Sequence, residues 1–276
     1  TLGMLYEELL KHDPQAVTMF TWAFNRWMLD DWGFAYQDRI FCAPYISLAD
    51  VGVACEQLDW ALANDAHVVV MRAAAPTTEL GSFSPGDPRF DPFWARANEA
   101  GITVVVHAGD SGHSSNGYAV DGFAANFNGN GRARPSIKSF NIERAAYDFL
   151  ISLLFDGIFD RFPNLRVASV ENGAEFLPDM FRKLRSTAKK MRWAFSEDPV
   201  EQFRRHVWIN PFWEDDVHEI IDLMGVDRVI FGSDWPHIEG LPNPLDYELE
   251  LTGLSDADVR RVMHDNVTEL NTLRPA

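Results

Sequence analysis

Short apolar runs separated by amphipathic stretches set the rhythm of this chain. Runs at residues 39–46, 67–72, 102–106, 165–170, 206–210 and 228–231 have the pattern of strands buried on both faces. Pro44 marks the end of the first, because proline cannot donate to a sheet. Between the runs, apolar residues recur at helical spacing. Val51, Ala54, Leu58 and Leu62 follow Asp50, a ready N-cap, and Asp91-Pro92 opens a helix that Gly101 closes. Ala146, Phe149, Leu150, Leu153, Leu154 and Ile158 line one side of a helix over 142–160. Further helices are predicted over 175–193 and 215–224. Ser255-Asp256-Ala257-Asp258 is a capping box for a last helix that turns Val259, Val262, Met263, Val267 and Leu270 inward. Ahead of the first run, residues 3–32 predict two helical pieces divided near His12-Asp13-Pro14. Phe20, Trp22, Phe24, Trp27 and Met28 so nearly ring the second piece that it should be well buried.

Strand and helix thus alternate six times with no visible linker. That predicts an α/β fold, a parallel sheet with helical crossovers, and a single domain over 1–276. Alternation alone does not separate a closed barrel from an open doubly wound sheet. No glycine-rich phosphate fingerprint follows any run, which argues against a nucleotide site. The rhythm lapses at 109–141, where Gly, Asn and Ser recur with scattered aromatics such as Tyr118, Phe123, Phe127 and Phe140. Connections beyond about 12–15 residues tend to be lids or binding loops. A lid is therefore the functional reading of 109–141, and a surface insertion the plain one.

Composition changes the picture only at its margins. At 276 residues with 46% hydrophobic content the chain can bury a sizeable core. Its net charge of −17, from 24 basic and 41 acidic residues, repels phosphate backbones and argues against a nucleic-acid partner. Cys42 and Cys55 are too few and too far apart for a disulfide framework or a paired-cysteine metal site, so buried free thiols are expected. No window approaches the roughly 18 apolar residues of a membrane span, and no basic-then-apolar leader precedes the first helix. A cytoplasmic location without membrane contact is the expectation.

Two stretches carry the candidate chemistry. Val229-Ile230-Phe231 runs into Gly232-Ser233-Asp234-Trp235-Pro236-His237, and Val104-Val105-Val106 runs into His107-Ala108-Gly109. In parallel α/β folds ligands meet the carboxyl ends of the strands, which is where His107 and Asp234 fall. Imidazole nitrogen and carboxylate oxygen together suit Zn²⁺, with Mn²⁺ or Fe²⁺ as alternatives. Such a metal lowers the pKa of water to about 7, and a neighbouring carboxylate can shuttle the proton. The plain alternatives are a core histidine bonded to a carbonyl and an aspartate capping a turn.

The segment Phe155-Asp156-Gly157-Ile158-Phe159-Asp160-Arg161-Phe162-Pro163-Asn164-Leu165-Arg166-Val167 joins these features. Together with His107, Gly232-Ser233-Asp234-Trp235-Pro236-His237 and the closing Asn266, it resembles the amidohydrolase-related family, from about Arg39 to the C-terminus. Within the family the likeness is to the branch of aminocarboxymuconate-semialdehyde decarboxylase and related aromatic-acid decarboxylases and hydrolases. The resemblance implies a TIM-type (β/α)₈ barrel with one divalent metal at its carboxyl face. It implies His107 as the metal ligand after the family's fifth strand, and Asp234 as the metal-binding and proton-accepting aspartate after the eighth. Two departures stand out. The first-strand ligand pair and the first two βα units of the family have no counterpart before Arg39, which implies either an N-terminally truncated piece of a longer chain or an open barrel of six strands with an incomplete metal site. Glu171 stands where the decarboxylases carry histidine after the sixth strand, and Asn210 where some members end the seventh in aspartate. A carboxylate can bind metal or move a proton but cannot become an imidazolium, which weakens the decarboxylase reading.

Asp234 and Glu171 are accordingly the candidate catalytic residues, and His107 and Asp234 the candidate metal ligands. Arg72 could clamp a substrate carboxylate, or could form an ordinary salt bridge. His237 is read as facing substrate, Trp235 as a pocket wall, and His113 as a further nearby donor or a surface residue; His12, His206, His218 and His264 are read as surface. The expected function is metal-dependent hydrolysis of a small organic acid, lactone, amide or ester. The alternatives are non-oxidative decarboxylation of an aromatic or enol acid, and an inactive barrel remnant used as a binding module. Nine tryptophans and 20 phenylalanines leave material for a homodimer contact.

Overall fold

The computed structural model of the chain describes residues 3–109, 112, 143–237 and 240–276. The expected lid over 109–141 and the candidate His113 therefore lie, but for residues 109 and 112, outside the described residues. Among the described residues eight short strands occur in chain order, β1 (Ala35–Tyr36), β2 (Ile40–Phe41), β3 (Val68–Arg72), β4 (Thr77–Thr78), β5 (Gly81–Ser82), β6 (Thr103–His107), β7 (Arg166–Val170) and β8 (Val207–Ile209). Four of them make the parallel sheet, ordered β3-β6-β7-β8 as in the sequence. Single parallel bridges extend it at both edges, Tyr45 to Val70 and Ile209 to Val229.

Those edges are where expectation and structure part. The run 39–46 is not one strand. Its first half pairs antiparallel with Ala35–Tyr36, and only Pro44 to Ile46 reaches the sheet, through Val70 N to Pro44 O and Ile46 N to Val70 O. Pro44 has no N–H, so the ladder cannot continue through it. At the other edge Ile230 N donates to Ile209 O, but Phe231 N turns away to Val262 O, so 228–231 forms no regular strand. The sheet is an open arc of a barrel.

Side chains alternate across this arc with the period of a strand. Val69, Met71, Val104, Val106, Val167, Val207, Ile209 and Val229 pack outward into the main core with the helices. Val70, Val105, Ala168, Trp208 and Ile230 take the inner face, and His107 shares that parity with Val105. The helices α1 (Gly3–Leu10), α2 (Pro14–Asp31), α3 (Val51–Ala63) and α4 (Asp91–Ala100) come as the spacing predicts, with Asp13 and Asp50 as N-caps. Deleting a fully buried side chain such as Leu58 or Leu150 from this core costs on the order of 2–5 kcal/mol. The helix α2 is not ringed by neighbours. Its buried line is Val17, Thr21 and Asn25, whereas Met19 and Trp27 are more than half exposed. Polar Thr21 and Asn25 face in because Gln57 donates to the first and Tyr45 exchanges two hydrogen bonds with the second. His206 is likewise buried rather than at the surface. Its ring stacks on Phe159 and donates from Nδ1 to Leu165 O, and burial pulls its pKa down. Cys42 and Cys55 are free thiols, the second buried.

Candidate functional site

Each of β6 and β7 ends by handing over a side chain at the carboxyl edge. His107 closes β6, and Val170 of β7, its register partner, leads straight into Glu171. The imidazole Nε2 of His107 lies 2.9 Å from Glu171 Oε2, with both side chains partly buried. Its Nδ1 is 2.8 Å from the carbonyl of Ala108, an acceptor only, so Nδ1 carries the hydrogen. Nε2 then meets the carboxylate across a shared proton or a shared cation.

Glu171 and Asp234 both take left-handed backbone conformations, with φ of 56° and 53°. Non-glycine residues hold such torsions where neighbours over-determine them, as at functional sites. For Glu171 one such neighbour is Asn210 just beyond β8, whose Oδ1 accepts the Glu171 backbone N–H at 3.2 Å. Asp234 turns the chain through His237 N to its own carbonyl at 2.7 Å, and His237 Nδ1 lies 3.7 Å from Asp234 Oδ2. His107, Glu171, Asn210 and Asp234 therefore all follow the carboxyl ends of neighbouring parallel segments, as the sequence places them.

The remaining candidates are distributed less simply. Arg72 pairs in register with His107, but its guanidinium is buried, 2.7 Å from Glu8 Oε2 and 3.4 Å from Glu7 Oε2. Burial works against its charge, and the flanking carboxylates outweigh that and hold the proton more firmly than usual. Glu7 also accepts from Tyr45 and Ser47. The salt bridge is the arrangement present. Trp235 is 64% exposed, so its indole is at the surface rather than in a buried wall.

Sequence reasoning missed three polar groups on this side of the sheet. Asn172, fully buried, donates from Nδ2 to Val106 O, Val170 O and Ser169 Oγ, tying the end of β6 to β7. Its only signal was Asn-Gly at a strand end, which indicates a turn rather than a tie. Asp215 accepts the backbone N–H groups of Ala174 and Phe212, and Glu143 accepts that of Glu175. Burial, reinforced by neighbouring carboxylates, pushes Glu143 up to about 7 and Asp215 up to about 6.

Comparison with known proteins settles the family. The amidohydrolase family model matches residues 2–270. This chain belongs to the amidohydrolase family. An amidohydrolase from Mycobacterium avium subsp. paratuberculosis K-10 is 40% identical, with a TM-score of 0.89 over 99% of this chain and 69% of that one. The chain is also similar in fold to 2,6-dihydroxybenzoate decarboxylase from Rhizobium, with 17% identity, 95% and 80% coverage and a TM-score of 0.73. A dihydroxybenzoic acid decarboxylase from Polaromonas sp. JS666, solved with bound manganese and 2-nitroresorcinol, gives 16% identity, 94% and 76% coverage and a TM-score of 0.70. No curated protein sequence matches significantly. The amidohydrolase fold is of the TIM-barrel type, and the open arc described above is its sheet in this chain.

The family raises the question of a metal. The donor types at this carboxyl edge fit one. The 2.9 Å between His107 Nε2 and Glu171 Oε2 is a hydrogen-bonding separation that leaves the two donors side by side. Among the described residues, however, no three His, Cys, Asp or Glu side chains gather into a group able to hold an ion. The donor chemistry fits; the set is short of a full shell.

Proposed function

We propose that this amidohydrolase-family chain is a metal-dependent hydrolase acting on a small organic acid, lactone, amide or ester. The observation that carries the reading is the His107 Nε2 to Glu171 Oε2 contact at the carboxyl edge of the sheet that also bears Asp234. His107 and Asp234 would hold a divalent cation, with Glu171 as third donor or proton carrier. Zinc is favoured by the imidazole–carboxylate mix, and manganese by the metal in the Polaromonas enzyme. When bound, such an ion supplies a Lewis acid that polarises a carbonyl and brings water toward a pKa of about 7. Asp234 orients the attacking water and accepts its proton, while the Ala108 carbonyl keeps the His107 ring in one tautomer. His237 and Trp235 lie beside Asp234 at the open side, where substrate would enter.

Non-oxidative decarboxylation of an aromatic acid is the second reading, favoured by the named activities of the structural neighbours. Glu171 cannot supply the cationic imidazolium expected at that position, which is why hydrolysis comes first. An inactive binding module is the third. Metal analysis of the purified chain, with turnover assayed on ester, lactone and carboxylated-phenol panels, separates them. Stoichiometric metal with ester or lactone cleavage is the expected result, and carbon dioxide release would transfer the assignment to the second reading. A chain without metal, and without rescue by Zn²⁺ or Mn²⁺, would be neither enzyme. Asp234→Asn should lower turnover by about 10²-fold or more; unchanged turnover removes Asp234 from its role.

A further inference from the structure

We infer that Asn210 is a positioning residue that fixes Glu171 and the Asp234 segment relative to one another. The inference rests on the reading of Glu171 and Asp234 as site residues. Asn210 follows β8 directly, is 6% exposed, and its backbone N–H donates to Ser169 O of β7. Its carboxamide then reaches in two directions. Oδ1 accepts the N–H of Glu171 at 3.2 Å, while Nδ2 donates to Pro211 O at 3.0 Å and to Ile230 O at 3.4 Å. The partners dictate the orientation of the amide, since an N–H needs the oxygen and the carbonyls need the NH₂.

Gly232 makes the fit close. A Cβ on that residue would lie 2.8 Å from Asn210 Oδ1 and 2.9 Å from Nδ2, so the backbone two residues ahead of Asp234 passes flush against the carboxamide. One side chain thus touches the residue after β7 and the segment that delivers the aspartate. It anchors the amide of Glu171, whose left-handed torsion aims its carboxylate at His107. Asn172 ties the neighbouring seam by holding Val106 O, one residue before His107. The position requires an acceptor and a donor together. Aspartate would satisfy Glu171 but turn an oxygen against two carbonyls, and alanine would satisfy neither.

The test uses the full chain, metal-free for nuclear magnetic resonance of the His107 imidazole nitrogens and then titrated with Mn²⁺ alone. Glu171→Ala, which leaves Nε2 no partner on that side, supplies the reference signal for a lost pairing. Asn210→Ala is expected to move the Nε2 signal at least halfway toward that reference and to weaken Mn²⁺ binding tenfold or more. Asn210→Asp should keep the His107 signal but weaken Mn²⁺ binding, because the Glu171 N–H keeps its acceptor while Pro211 O and Ile230 O lose their donor. Asn266→Ala is the control, since Asn266 holds Val226 O and Val229 O at the other end of the same segment. It should lower the unfolding midpoint yet leave the His107 signal in place. If Asn210→Ala does not fold, Gly232→Ala, which presses on the carboxamide, carries the same expectation. A folded Asn210→Ala or Gly232→Ala variant with an unmoved His107 signal overturns the inference. A wild-type chain that binds no Mn²⁺ defeats the metal reading instead, and the imidazole signal alone then decides the role of Asn210.

Discussion

Glu143 and Asp215 show what burial does to single residues behind the candidate site. Beside burial, Asp215 and Glu175 act on the carboxyl of Glu143, and Glu175 and Glu214 on that of Asp215. Burial is the main cause and the acidic neighbours add to it, so each holds its proton to about 7 and about 6 from ordinary values of 4.5 and 3.8. The folded chain therefore binds these protons more tightly than the unfolded chain, and stability falls as pH rises from about 4 through about 7. Glu143→Gln and Asp215→Asn keep the acceptor oxygens for the backbone N–H groups and remove the charge. Each should stabilise the chain at pH 8 by on the order of 1 kcal/mol, after allowance for solvent screening, and by nothing measurable at about pH 3, below both ordinary values. Urea titrations at the two pH values check this, and equal wild-type and variant midpoints at pH 8 would refute it. Neither residue stood out in the sequence, because one acidic residue looks like another until the fold decides which is buried.

At the scale of elements, the segment that carried the family resemblance turns out to hold the scaffold. Arg161 donates to Gly86 O at 2.8 Å, to the carbonyl of Asp156 and to Asp91 Oδ1 at 3.0 Å, pinning the loop before α4 to the helix turn Ile158–Arg161. Asn164 binds Asn98 and Arg274 O, and Arg166 donates to Gly101 O, Glu269 O and Thr272 O. The motif is a junction between the amino ends of the strands and the last residues of the chain. Arg161→Met should cost about 1–3 kcal/mol, by leaving carbonyls and a carboxylate without their donor, while turnover per folded molecule stays within about twofold. Gly101 is the second test at this scale. It ends α4 at φ 58°, and a Cβ there would overlap the Arg274 carbonyl at 1.8 Å. Gly101→Ala should therefore lower the unfolding free energy by at least about 1 kcal/mol, read from a urea titration beside that of Arg161→Met. Helices and central strands were legible because their periodicity is local. The edges 39–46 and 228–231 were not, because strand character there depends on a neighbour that Pro44 and the turn of Phe231 toward Val262 remove.

For the whole molecule, the proposed cation would join the ends of β6, β7 and the Asp234 segment, three pieces far apart in sequence. A ligand that binds only the folded chain adds about 2.7 kcal/mol at one hundred times its dissociation constant. Chelation should accordingly lower the unfolding temperature by several degrees and readdition of Zn²⁺ or Mn²⁺ restore it; an unfolding temperature indifferent to both speaks against a site spanning these strands. The sequence by itself determined the alternation of helices with the central strands, the family, and the arrival of His107 and Glu171 at strand ends, since each follows from short-range spacing or a contiguous motif. Tertiary structure alone decided that Arg72 is held by Glu7 and Glu8, that His206 is buried, and that two asparagines stitch the strand ends together. Such partners lie tens of residues apart, and only packing brings a donor to the acceptor whose desolvation it offsets.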